Sequence, residues 1–105
     1  MEQINKVTLR GIVGNLNISE AQGVKMGRFN VCTNRVFKSR SGEVVMESTW
    51  IPVVAFENSK VKFDDIVRGS KIEVAGRIRN IAYTASDGTQ HSSLDVFAES
   101  ITLYD

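Results

Sequence analysis

Cysteine, proline, histidine and tryptophan each occur once in the 105 residues of this chain. The single cysteine, Cys32, excludes an internal disulfide and a cysteine zinc cluster. The single histidine, His91, leaves little for metal ligation, and no metal or cofactor is expected. No apolar run approaches membrane-spanning length. The opening "MEQINKV" lacks the apolar core of a secretion signal, so a soluble cytoplasmic protein with no membrane partner is expected. No G-x-x-x-x-G-K-[ST] phosphate loop is present. Neither charge sign dominates: 13 Lys and Arg stand against 12 Asp and Glu, a formal net of +1. That balance alone argues for no partner. A nucleic-acid binder built this way has to segregate its charges by face.

What is present reads as a folded domain. A hydrophobic fraction of 42% with 24% charged residues is the mix of a globular protein. The length suits one compact domain over residues 1–105. Strand signals dominate. "INKVTLRGIVGNL" alternates Val7, Leu9 and Gly11 inward with Thr8, Arg10 and Ile12 outward, and Gly11 and Gly14 predict a bulge or close backbone approach. Gln22-Gly23 reads as a turn. "MGRFNVCTNRVF" sets Phe29, Val31 and Thr33 on one face and Asn30, Cys32 and Asn34 on the other. "KSRSGE" is a basic loop turning at Gly42, followed by the long strand "VVMESTWIPVVAF".

In that strand Ile51, Val53 and Ala55 point one way, and Trp50, Pro52, Val54 and Phe56 the other, so both faces are apolar. Pro52 cannot donate to a ladder, so its nitrogen should face solvent, a bulge or a sheet edge. Val61, Phe63, Ile66 and Val67 then give a rough helical stripe, with Asn58 or Ser59 as cap and Gly69 as stop. "KIEVAGRIRN" alternates again. Asp87-Gly88 predicts a hairpin with a type I′ turn, and "SLDVFAESITLY" is the last strand. The expected fold is all-β: a five-stranded Greek-key OB-fold barrel with one short helix between strands 3 and 4. An SH3-like barrel or a small sandwich fits the same order of elements.

No catalytic constellation emerges, and no enzyme is expected. One histidine and no nucleophile motif give a Ser-His-acid triad no support. His91, beside the Ser86-Asp87-Gly88 hairpin, reads as an exposed loop residue, Cys32 as a small buried hydrophobe, and Asp64 and Asp65 as a solvated helix face. What remains is an interleaving of rings and cations. Phe37 precedes Lys38 and Arg40, Trp50 and Phe56 share a strand face, and Tyr83 follows Arg77 and Arg79. Unpaired bases stack on aromatic faces while cations track phosphates, so this pattern points to single-stranded nucleic acid. The structural alternative is that the rings are core or subunit contacts.

Five segments, in order, carry a resemblance over nearly the whole chain. "INKVTLRGIVGN", "FNVCTNRVFKSRSGE", "TWIPVVAF", "VRGSKIEVAGRIRN" and "YTASDGTQHSSLDVFAE" are similar to successive strands of bacterial single-stranded DNA-binding proteins. The third segment matches their W-x-x-V-V-x-F strand. The resemblance implies an OB-fold that wraps single-stranded DNA without strong sequence preference during replication, recombination or repair, associated with the nucleoid. It implies a homo-oligomer, usually a tetramer, and no cofactor. It places stacking aromatics on Phe37, Trp50, Phe56 and Tyr83, and basic contacts on Lys38, Arg40, Arg68 and Arg79, with Arg77 beside them.

The chain departs from the family pattern in three places. Ile51 and Pro52 stand where members often carry His and Arg, a position tied to the tetramer contact, so a dimer is the alternative. Glu57, Asn58, Asn80, Ile81 and Ala82 replace common basic residues, and each lost cation weakens binding and flattens its salt dependence. No acidic tip follows Leu103, so recruitment of replication proteins through such a tip is not expected. The second-ranked resemblance is to primosomal replication proteins of the same superfamily. A competing reading from another class is an oligomeric interaction scaffold with Trp50, Pro52 and Phe56 buried between subunits.

Overall fold

Alternating apolar and polar residues become five long strands: β1 (Val7–Ala21), β2 (Val24–Lys38), β3 (Val44–Phe56), β4 (Lys71–Thr84) and β5 (Gln90–Tyr104). The computed structural model describes residues 1–104. The strands close into a barrel in the order β1-β2-β3-β5-β4, with β4 returning to β1. This is the strand order of the OB-fold, and closure excludes a two-sheet sandwich. All neighbours are antiparallel except β3 and β5. These run parallel and meet only at Val53↔Val96, Val54↔Phe97 and Ala55↔Ala98.

The inward set of each strand fills the barrel. Val13, Phe29, Val31, Val53, Ala55, Ile72, Val74, Val96 and Ala98 are all buried in one cluster. Each large side chain there gains about 1.5–3 kcal/mol by leaving water. Val7, Leu9, Leu16, Ile51 and Ile101 pack on its margin. The inward–outward alternation expected for the first strand holds until Gly14. There the β1–β2 register shifts between Gly14 and Asn17, the bulge the glycines predicted.

The expected helix between strands 3 and 4 is absent. Val61, Phe63 and Ile66 are the buried residues of this connection, and Val67 is exposed. Their spacing of two and three does not make a helical stripe. Asn58 does not cap a helix. Its side-chain oxygen accepts from the Lys60 amide at 2.7 Å, and its backbone forms a bridge with Val61. These local bonds compete with a helical start. The connection instead plugs the barrel with three apolar side chains. The Ile101 amide also donates to the Lys60 carbonyl, at 3.1 Å.

The turns follow their residues, with one correction. Gln22 and Gly23 both have positive φ, 55° and 80°, and join Ala21 to Val24 as a two-residue hairpin. At Asp87-Gly88 only the glycine has positive φ, 88°. The Gly88 amide donates to the Ala85 carbonyl and the Ala85 amide to the Thr89 carbonyl. The turn is therefore a longer loop with a left-handed glycine rather than the expected type I′. Ser39 to Glu43 repeats the same bond pattern around Gly42.

Pro52 sits where its missing donor costs nothing. The Glu57 amide donates to the Lys25 carbonyl. This bond sets alternate pairs of the β2–β3 ladder, and Asn30↔Pro52 is one of the non-hydrogen-bonded pairs. The Pro52 nitrogen faces away from β2, toward β5, one residue before the β3–β5 pairing begins. It lies at a local edge, as its chemistry required.

Candidate nucleic-acid interface

The outward residues of β2, β3, β5 and β4 form one continuous face. Register puts Cys32, Asn30, Arg28 and Met26 of β2 opposite Trp50, Pro52, Val54 and Phe56 of β3. Val54 pairs with Phe97 of β5. Phe97, Asp95, Ser93 and His91 then face Arg77, Arg79, Ile81 and Tyr83 of β4.

Trp50 lies flat at one end of this face. Its partner Cys32 occupies a non-hydrogen-bonded pair, where side chains approach most closely. The ring extends across β2 to β1, where a Cβ on Gly14 would come within 2.7 Å of Trp50 Cζ3. Trp50 keeps 57% of its surface exposed while Cys32 keeps 9%. The cysteine is the small buried hydrophobe expected, and one side of the indole is open.

Phe97 occupies the centre. Its ring is 5.9 Å from that of Phe56, and the Arg77 and Arg79 guanidinium carbons lie 4.9 and 5.0 Å from its centroid. Arg79 is also bound in bidentate fashion by Asp95, at 3.0 and 2.9 Å. This bonding raises the Arg79 guanidinium above its ordinary value. The pair is shielded, with Asp95 buried, so the Arg79 charge is largely answered from within the protein. Arg77 is freer, with Glu99 at 3.9 Å and both side chains exposed. Between β3 and the β4–β5 hairpin a cleft of about 300 Å³ is lined by Arg28, Pro52, Val54, Arg79, Ile81, Ser93 and Asp95.

At the far end Tyr83 stacks on His91, with ring centroids 5.2 Å apart and planes 19° from parallel. His91 is therefore not the loop residue the sequence suggested. It is a strand residue on the outer face.

The nine sequence-predicted residues are only partly gathered. Trp50, Phe56, Arg77, Arg79 and Tyr83 share the face. Lys38 has the same ladder parity as Trp50 but lies at the exposed end of the β2–β3 hairpin, with Arg40 in its turn. Phe37 pairs with Val45 on the opposite side of that ladder, under Arg35 at 5.3 Å. Arg68 lies in the connection to β4, beside the β1 bulge at Asn15 and Asn17. Its neighbours Gly69 and Ser70 bond to Val13, so Arg68 borders the Trp50 end of the face. The sequence reading missed Phe97 and Arg28. The signal for Phe97 was available, because Val96 and Ala98 are core residues and the residue between them has to point outward.

A closed five-stranded barrel bearing a ring-and-guanidinium face defines the class: an OB-fold protein with its chemistry on the outer sheet. The chain belongs to the single-strand binding protein family, whose family model matches residues 4–104. It is 31% identical over 106 aligned residues to a single-stranded DNA-binding protein of Clostridium perfringens, covering 97% of this chain and 67% of that protein. It is 30% identical to one of Xanthomonas campestris, covering 95% of this chain and 60% of that protein. The chain thus spans about two thirds of the length of these curated relatives. Among solved structures, a Plasmodium falciparum SSB in complex with ssDNA superposes with a TM-score of 0.85 at 20% identity, covering 100% of this chain and 98% of that one. A deletion mutant of the single-stranded DNA binding protein from Thermus aquaticus gives 0.78 at 20% identity, covering 97% of this chain and 51% of that one. Both structural likenesses speak to the fold.

Proposed function

We propose that this chain, as a single nucleic-acid-binding domain, holds single-stranded DNA with little sequence preference. On this reading it protects the strand during replication, recombination or repair and catalyses no reaction. The observation that carries this is the run of rings along one face: Trp50 at one end, Phe56 with Phe97 at the centre, and Tyr83 at the other end. Bases stack on Trp50, Phe56 and Tyr83, each worth roughly 1–3 kcal/mol. Arg28, Arg77 and Arg79 meet phosphates along the face, Lys38 and Arg40 extend the path along the hairpin, and Arg68 extends it beyond Trp50. Phe37 contributes from the reverse side of the hairpin. The names of the curated relatives support the same ligand. The protein acts in the cytoplasm, at the nucleoid.

Titration with oligo(dT) at two salt concentrations tests the reading through the single tryptophan. Trp50 fluorescence is quenched on binding, and affinity falls with salt as phosphate contacts require. Absence of both quenching and binding at low salt would sink the proposal.

The chain is further proposed to be a homo-oligomer, a tetramer or a dimer. Val36, Val44 and Met46 stand 64%, 69% and 66% exposed at the end of the β2–β3 hairpin, on the Trp50 side of the ladder, supporting a subunit contact that shares this side with the strand path at Lys38. Light scattering of the purified chain reads the state directly, and a monomer at micromolar concentration refutes it.

A further inference from the structure

The hairpin joining β4 to β5 holds a hydrogen-bond chain that ends on the face. Asp87 Oδ1 accepts from the Thr89 amide at 3.0 Å and from the Thr89 hydroxyl at 2.6 Å. These bonds hold the Asp87 carboxyl below its ordinary value, so it is ionised and can only accept. Thr89 has one hydroxyl hydrogen, and Asp87 takes it. The Thr89 oxygen is left to accept, and His91 Nε2, 2.9 Å away, must be the donor. Neutral His91 is therefore the Nε2–H tautomer. Its Nδ1 has no hydrogen-bond partner among the described residues, and the ring plane is held by Tyr83 on one side.

A proton added at Nδ1 leaves this arrangement intact. The bond to Thr89 stays, because Nε2 donates in both forms. The added charge stands on the outer face beside the Tyr83 ring. The groups facing His91 are Tyr83 from β4 and Asp87 from the turn, the latter through Thr89. The next charged groups along the face are Arg79 and Asp95, two register steps away and paired with each other. A strand stacked on Tyr83 brings phosphate oxygens past this point, and Nδ1–H is a charge-assisted donor for them.

We propose that His91 is a nucleic-acid contact of this face, and a proton-dependent one: a phosphate of bound single-stranded DNA holds its protonated form, so binding takes up a proton. The proposal rests on the single-strand reading above. It assigns a phosphate-contact role to a residue outside the aromatic and basic pattern of the sequence. An anion beside the ring favours the charged form, and histidine is the side chain that changes charge between pH 5 and 8.

Oligo(dT) is the probe, because thymine does not titrate in this range. Trp50 quenching is followed at about pH 5.5 and about pH 8, each at two salt concentrations. The wild-type chain binds several-fold tighter at the lower pH. Its salt slope steepens there by roughly 0.7, the value for one added phosphate contact on a single strand. His91→Gln binds equally at both pH values, and His91→Arg binds tightly at both. If His91→Gln keeps the wild-type pH dependence, the proposal is overturned while single-strand binding stands. If no variant is quenched at either pH, both fall together.

Discussion

The indole of Trp50 rests on the α-carbon of Gly14, two strands away, with Cys32 buried beneath it. Any side chain on Gly14 lifts the ring. Gly14→Ala is expected to cost about 1–3 kcal/mol of stability, as overpacking does, and to shift Trp50 emission. It also weakens oligo(dT) binding although residue 14 makes no contact with the strand. Denaturant unfolding and emission spectra check the first two effects and a binding titration the third. Unchanged emission would show that the ring does not depend on Gly14.

Trp50→Ala and Phe37→Ala separate the two sides of the β2–β3 ladder. Loss of the Trp50 platform is expected to weaken binding by roughly 1–3 kcal/mol, the worth of one stacked base. Phe37, on the reverse side under Arg35, costs less. Fluorescence anisotropy of a labelled oligonucleotide measures both without relying on the tryptophan. A larger loss at Phe37 would mean that the strand follows the other side of the hairpin.

Arg79 and Asp95 are expected to trade stability against affinity. Asp95→Asn removes the carboxylate that answers Arg79, and hydrogen bonds to charged groups of this kind are worth about 1.5–3 kcal/mol. The variant is less stable in thermal unfolding. It also binds DNA more tightly with a steeper salt slope, because a guanidinium is released to phosphate. A slope unchanged from wild type would place Arg79 outside the contact set.

Asp87 fixes how the hairpin turn responds to acid. Its carboxyl is held below its ordinary value, first by the Thr89 hydroxyl and then by the Thr89 amide. A group whose folded value is depressed contributes stability above its unfolded value and loses it as pH falls through the folded one. The Asp87-dependent step in the Thr89 amide shift therefore falls on the acid side of the ordinary carboxylate range. Asp87→Ala removes the acid step.

Much of this was legible in the residues. Each strand announced itself by alternation, because a barrel has one inside and every inward side chain must be apolar. Pro52 announced a local edge because it has no N–H to give. The connection between β3 and β4 was misread because Val61, Phe63 and Ile66 are apolar for a reason outside their own segment: they cap the barrel. Local spacing cannot tell a plug from a helix face. Phe37 was grouped with Trp50 because relative facing depends on register, and register depends on turn geometry at Gly42 that composition alone does not specify. His91 was set aside for the same reason, since its partner Tyr83 is brought to it by the hairpin and not by nearness in sequence.

The barrel is shut by its shortest ladder, from Val53–Ala55 to Val96–Ala98. Above it the strands part around the outer cleft and an apolar cavity of about 310 Å³ lined by Val7, Leu9, Ile51, Ile78, Leu94 and Val96. Every other pair of neighbouring strands is zipped over a longer run, and β1–β2, β2–β3 and β4–β5 are hairpins that form from chain neighbours. This one joins segments distant in the chain, and only β1–β4 closes a longer loop. With only three rungs it is the first ladder to breathe. The molecule behaves as a curled sheet held by a three-rung clasp, and the amides of Val54 and Ala98, which point across it, exchange ahead of the rest of the core.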